Sequence, residues 1–410
     1  MNLSRRGMFA SLATLAAAAP VGALGADLTT GAIASLPDRQ NFRIDHVYLN
    51  AAYAHPMGDM TYRAIEDFLQ LRRREVDTPW PAQNPRDKAV ELFAQLINAD
   101  PADIAVVPST MEGENLIVQA LSLGPDAGVV TDAYHYSPEI YGEQRLRGVP
   151  VAVAMPQDNR IHLGEIDRLI DSTTRLVAVS AVSSDTGFRH DLRALSEIAH
   201  RKGAMVYADI IQAAGAVPID VKDSGVDFCC CGAYKWLMGD FGVAFLYVRP
   251  DRRKDLKRVF AGWRQYKHYA SHLYPFDPPG PPGVEYSLSD DTIGLFEVST
   301  PNWTTLAGLV GSLTYLHGVG IDQIVRHRAP MMARLQAELP RYGFMPLTPA
   351  DTDTPAIAFA YKDAGAKLGP ALRAARINIQ TSRNRIRISP SVYNDMADID
   401  RLLLVLRAAA

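Results

Sequence analysis

Two short apolar runs, each closed by a charged residue, constrain this chain more than any other feature. In Tyr207-Ala208-Asp209-Ile210-Ile211-Gln212 a carboxylate ends the first run. In Phe228-Cys229-Cys230-Cys231-Gly232-Ala233-Tyr234-Lys235-Trp236-Leu237 an ammonium follows the second. Runs of this length read as buried strands. A buried carboxylate or ammonium is costly unless it is paired or put to use. Taken singly, an Asp after a strand is a turn residue or helix cap, and a Lys is a solvated side chain. Taken together, they fit the needs of one cofactor.

Pyridoxal phosphate (PLP) needs a lysine amine for its Schiff base and an acid facing its pyridine nitrogen. Asp209 is the candidate acid. Lys235 is the candidate amine and, once released, a carrier for the substrate's proton. Gln212, three residues after Asp209, is placed to reach the ring oxygen. The surrounding pattern suits such a site. Strand-like runs at 104–107, 129–131, 175–182 and 228–232 alternate with helical stretches at 60–75, 84–98 and 190–203. Alternation of this kind predicts a mostly parallel sheet with helices on both faces. Ligands of such sheets gather at the strands' carboxyl ends. Pro108-Ser109-Thr110-Met111-Glu112-Gly113-Glu114-Asn115 predicts a strand end followed by a helix N-terminus. That is either a simple cap or an anchor for phosphate.

The segments Y-A-D-I-I-Q-A-A-G, G-A-Y-K-W-L-M-G-D-F-G-V-A-F-L-Y-V, S-T-M-E-G-E-N and R-I-S carry a resemblance. From about Val47 to the C-terminus the chain resembles the class V aminotransferase family of fold-type I PLP-dependent enzymes. That family includes cysteine desulfurases, selenocysteine lyases, kynureninases and isopenicillin-N-epimerase-like proteins. The resemblance implies an α/β fold: a large domain around a mostly parallel seven-stranded sheet, and a smaller α+β C-terminal domain. We divide the chain into a signal peptide (1–26), an arm (27–58), a PLP-binding domain (59–298) and a small domain (299–410). By the same resemblance Thr110 and the Met111 backbone bind phosphate, and Tyr134 or His135 stacks on the cofactor ring. Ser184 stands where many relatives carry a ring-orienting asparagine. Tyr234 replaces the histidine that often precedes the lysine. Asn50 and Ala51 line the substrate end, and Arg387 binds the substrate carboxylate, with Arg385 sharing its face of the strand. Thr300 reaches the phosphate of a neighbouring subunit, which implies a homodimer with shared sites. The activity implied is lyase, epimerase or aminotransferase chemistry on an amino acid or related amine.

The chain has 410 residues, 48% hydrophobic and 21% charged, which is ordinary globular composition with room for one large and one small domain. A net charge of −3 gives no reason to expect nucleic acid as a partner. Cys229, Cys230 and Cys231 are consecutive, which suits neither disulfide geometry nor the spacing of a metal site. They read as small core residues, and no metal is expected. Residues 362–385, where a desulfurase's mobile thiol is expected, contain no cysteine. At the N-terminus, Ser4-Arg5-Arg6 precedes an alanine-rich run and the small residues Gly25-Ala26. This resembles a twin-arginine signal and predicts a periplasmic or exported protein that engages the twin-arginine machinery. The alternatives are an exported, non-catalytic binder of PLP or another ligand, and a doubly wound nucleotide protein. The absence of a G-x-G-x-x-G turn and of a P-loop counts against the second. From Val259 to Tyr286, rich in aromatics, prolines and glycines, a long, partly ordered loop is expected at the site mouth.

Overall fold

The computed structural model describes residues 35–74, 85–281 and 283–409. The signal expected at 1–26 and the start of the arm lie outside the described residues. The rest of the arm contributes β1 (Val47–Tyr48).

The large sheet is built from β2 (Ile104–Val107), β3 (Gly128–Asp132), β4 (Val151–Ala154), β5 (Thr174–Ser180), β6 (Met205–Asp209), β7 (Phe228–Gly232) and β8 (Ala244–Val248). Their order is β2-β8-β7-β6-β5-β3-β4. Neighbours from β4 through β7 are parallel, and β8 runs antiparallel to both β7 and β2. Successive side chains of a strand point to opposite faces. The cores follow that rule. Val177, Val179, Val206, Ala208, Cys229 and Cys231 belong to one. Leu176, Ala178, Met205, Tyr207, Phe228 and Cys230 belong to the other. A sheet covered on both faces needs apolar residues at every position, which explains three cysteines in a row.

Two of the helices that cover this sheet start where a short polar side chain satisfies a first-turn N–H group. Asp191 accepts from Ala194 N at 3.0 Å ahead of the helix Leu192–Arg201. Ser109 accepts from Glu112 N at 3.1 Å ahead of Thr110–Ala120.

The stretch expected as a long loop instead carries an antiparallel ribbon, β9 (Tyr266–Ser271) and β10 (Val284–Leu288). Tyr266 and Tyr269 lie on β9 and Tyr286 on β10, a residue type that β-propensity favours.

The C-terminal sheet has the order β11-β12-β15-β14, with β11 (Met345–Pro346), β12 (Ile357–Ala360), β14 (Gln380–Thr381) and β15 (Arg385–Ile388), all antiparallel. It shares a separate core with the helices Ile321–Glu338, Ala364–Ala374 and Met396–Ala409. β1 pairs in parallel with β13 (Ile377–Asn378), so the arm is stitched to this unit. The helix Trp303–Val319 packs against Asp59–Arg74 and Pro85–Leu96, on the large-sheet side of the molecule.

Candidate active site

Asp209 and Lys235 feel each other's charge because β6 and β7 are parallel neighbours, with Asp209 at the end of β6 opposite Cys230, just before β7 ends at Gly232. Lys235 follows β7 on a turn held by Ala233 N to Val243 O (2.9 Å) and Met238 N to Lys235 O (2.9 Å). Gly215 lets that turn pack closely. Its φ is +87°, and an added Cβ would lie 2.4 Å from the Trp236 carbonyl oxygen.

Both charged groups are buried. Burial pushes the Asp209 carboxyl from its ordinary 3.8 up to about 6. The Ile211 N–H, which donates to it at 2.9 Å, opposes the rise, and the Glu114 carboxylate adds to it. Burial pulls the Lys235 ammonium from 10.5 down to about 8; Asp209 opposes and Arg387 adds to the fall. Each charge steadies the other without cancelling its desolvation. An amine that loses its proton near neutral pH is suited to nucleophilic attack and proton transfer.

The other expected residues take varied places. Thr110 Oγ1 accepts from Gly232 N at 2.8 Å, which ties the helix N-terminus to the turn that carries Lys235. Met111 is exposed in the first turn of the same helix. Gln212 is braced between two neighbours. Its amide donates to Ala52 O at 2.9 Å, and its oxygen accepts from the Trp236 indole at 2.9 Å. A primary amide carries two hydrogens, so the one not given to Ala52 could serve a ligand.

Asn50 donates to Asn378 Oδ1 at 3.2 Å, and Ala51 N donates to Ser389 O at 3.2 Å, so the arm lies beside the end of β15. Arg387 is buried on that strand, and its guanidinium donates to Ser184 O. Its Nε has no hydrogen-bond partner. Burial pulls it down to about 10. Arg385 instead reaches Asp185 at the surface (2.7 Å). Tyr234 stacks on Phe241, centroids 4.8 Å apart. Thr300 is exposed in the segment before the helix Trp303–Val319.

Tyr134 and His135, the candidates for stacking on the cofactor ring, lie just past the end of β3. Tyr134 packs 5.9 Å from the Phe188 ring. His135 is buried between Glu114 and Ser180. Two rings face Lys235, Tyr136 with its centroid 5.5 Å from Nζ and Tyr234 at 5.7 Å. Sequence reasoning did not single out Tyr136 or Glu114.

A buried amine, a buried carboxylate beyond it and a guanidinium with a free Nε suit PLP together with an amino acid. Lys235 would hold the cofactor covalently, Asp209 would face its ring nitrogen, and the first turn at Thr110 and Met111 would receive its phosphate.

The family description "Aminotransferase class-V" matches residues 73–402. The chain belongs to that family. It is a PLP-dependent enzyme that acts on an amino acid or related amine. Among curated relatives it is 26% identical over 352 residues to an uncharacterised aminotransferase of Bacillus subtilis, covering 85% of this chain and 90% of that protein. It is 28% identical over 301 residues to a probable cysteine desulfurase of Methanothermobacter thermautotrophicus, covering 72% of each. Among solved structures, the apo cysteine desulfurase of Thermococcus onnurineus shares the fold, with TM-score 0.79 and 20% identity over 91% of this chain and 98% of that one.

Proposed function

We propose that this enzyme takes a free α-amino acid, holds its carboxylate on Arg387, and carries out lyase, epimerase or transferase chemistry at the α-carbon without a protein thiol. The observation that carries the reading is Arg387, a buried guanidinium whose Nε lacks a partner and whose charge is felt at Lys235. A guanidinium binds a carboxylate through two parallel hydrogen bonds. Bound PLP supplies an aldehyde for an amine and a ring that accepts electrons from the α-carbon. The chain's own groups do the rest. Arg387 orients the substrate. Lys235, poised near pH 8, takes or returns the α-proton. Asp209 gives the ring nitrogen an acidic partner, and the rings of Tyr136 and Tyr234 flank the amine.

The thiols support a reading without persulfide transfer. All three cysteines lie on β7 with no exposure, and burial raises each thiol above its ordinary range. A sulfur-accepting thiolate needs exposure and a mobile support. The test offers PLP-loaded enzyme a panel of amino acids beside the matching amines that lack a carboxylate. Products are read by mass spectrometry. Equal turnover of both sets rejects the Arg387 reading, and substrate-derived sulfur on Cys229, Cys230 or Cys231 rejects the thiol-free one.

A homodimer is part of the proposal. The exposed Thr300 and the exposed Tyr274, Phe276 and Tyr286 of the ribbon region support it, and sedimentation tests it. Export is supported by Arg5-Arg6 and the alanine-rich run after it. N-terminal sequencing of the secreted protein tests that part.

A further inference from the structure

Glu114 is fully buried in the helix Thr110–Ala120. A buried carboxylate needs its charge met by hydrogen bonds or an opposite charge. Oε1 accepts from the Tyr141 hydroxyl at 2.6 Å and lies 2.7 Å from His135 Nε2. His135, itself buried, places Nδ1 3.0 Å from Ser180 Oγ. Ser180 Oγ in turn accepts the backbone N–H of Tyr136 at 3.1 Å. Ser180 ends β5 and sits opposite Asp209 in the sheet register. A continuous line of hydrogen bonds therefore runs from a buried carboxylate to a residue whose ring faces Lys235.

Other supports for that residue are few. Tyr136 is 53% exposed, so packing alone does not hold it. Ser137 begins the next helix without a side-chain capping bond. Charge adds to the geometry. Burial alone pulls the His135 imidazole down, yet Glu114 beside it carries it above its ordinary range, with Asp209 and Asp132 adding to the rise. Tyr141, Tyr207 and Cys230 also face the Glu114 charge, and none of them is a cation.

We propose that Glu114 is a positioning residue of this active site: through His135 and Ser180 it fixes the Tyr136 backbone and so holds the Tyr136 ring against Lys235. The catalytic meaning rests on the reading of Lys235 as the PLP-bearing amine, but the geometric claim does not.

Fluorotyrosine labelling and fluorine NMR of the cofactor-free protein test it. Tyr136→Phe identifies the Tyr136 signal by its loss. Glu114→Ala is expected to move that signal toward the position of unstructured tyrosine. Glu114→Gln, whose amide oxygen still accepts from His135 and Tyr141, is expected to leave it in place. Ser180→Ala should move it in the same way, and adding Glu114→Ala to that variant should move it no further. With cofactor loaded, turnover should fall on the order of tenfold or more in Glu114→Ala and recover in Glu114→Gln, since small misplacements near a reacting centre are costly. An unmoved signal in folded Glu114→Ala overturns the proposal, as does a Glu114→Gln signal displaced as far as in the alanine variant. Should Glu114→Ala fail to fold, an unmoved signal in Ser180→Ala overturns it. Borohydride trapping of PLP on wild-type Lys235 is scored separately. Its failure would refute the functional reading of Lys235 and leave the NMR result standing.

Discussion

Asp209→Asn is expected to make the cofactor-free protein more stable while disabling it. The carboxyl is carried from 3.8 to about 6, chiefly by burial. A tenfold change in proton affinity is worth about 1.4 kcal/mol, so ionising Asp209 inside the folded protein costs about 3 kcal/mol relative to the unfolded chain. The sign follows from the raised value. Below 3.8 the group is protonated in both states and costs nothing. Between 3.8 and about 6 the folded state binds more protons than the unfolded one, so stability falls as pH rises. Above 6 the full cost is present. Asparagine removes the charge and keeps an oxygen to accept from Ile211 N. At pH 8 the cofactor-free variant should therefore gain roughly 3 kcal/mol over wild type, with the difference closing toward pH 4. Denaturant unfolding of both proteins at the two pH values measures it. PLP-dependent turnover should collapse in the same variant, because the ring nitrogen loses its acidic partner. A variant less stable than wild type at pH 8, or a gain that does not shrink in acid, would refute the account of Asp209 as a charge held at a cost.

Three further outcomes follow from the geometry. Arg387→Ala should lower kcat/KM for carboxylated substrates by on the order of 2–4 kcal/mol, mainly through KM. Arg385→Ala, which removes a pair at the surface, should change it little; equal losses from steady-state kinetics would count against Arg387. Covalent capture of PLP by the cofactor-free protein should quicken as pH rises through about 8 and then level off, because the Lys235 amine is freed there; a rate still climbing at 10.5 contradicts the lowered value. Gly215→Ala forces a side chain into a φ of +87° and onto the Trp236 carbonyl oxygen. It should cost about 2 kcal/mol or more in stability, and a denaturation midpoint equal to wild type would show that the turn bearing Lys235 tolerates the displacement.

The sequence by itself determined the parts of this protein whose causes are local. Apolar runs closed by Asp209 and by Gly232 are strands because each residue between two covered faces must be apolar. Ser109 and Asp191 mark helix starts because a short polar side chain next to unpaired N–H groups acts within one turn. Burial of Asp209 and Lys235 could be read from the same runs, since both lie at or just past strand ends. Tertiary structure decided the relations between distant residues. The Arg387 guanidinium meets Ser184 across 203 positions of chain, while Arg385 two residues away points to the surface, and an alternating strand does not say which of the two is buried. Gln212 is braced by Ala52 and Trp236 only because the arm folds over the turn after β7. The line from Tyr136 through Ser180 and His135 ends on Glu114, a charge that by pattern alone belongs on a solvated helix face. Its burial is fixed by His135 and Tyr141, partners that composition, capping and periodicity do not encode.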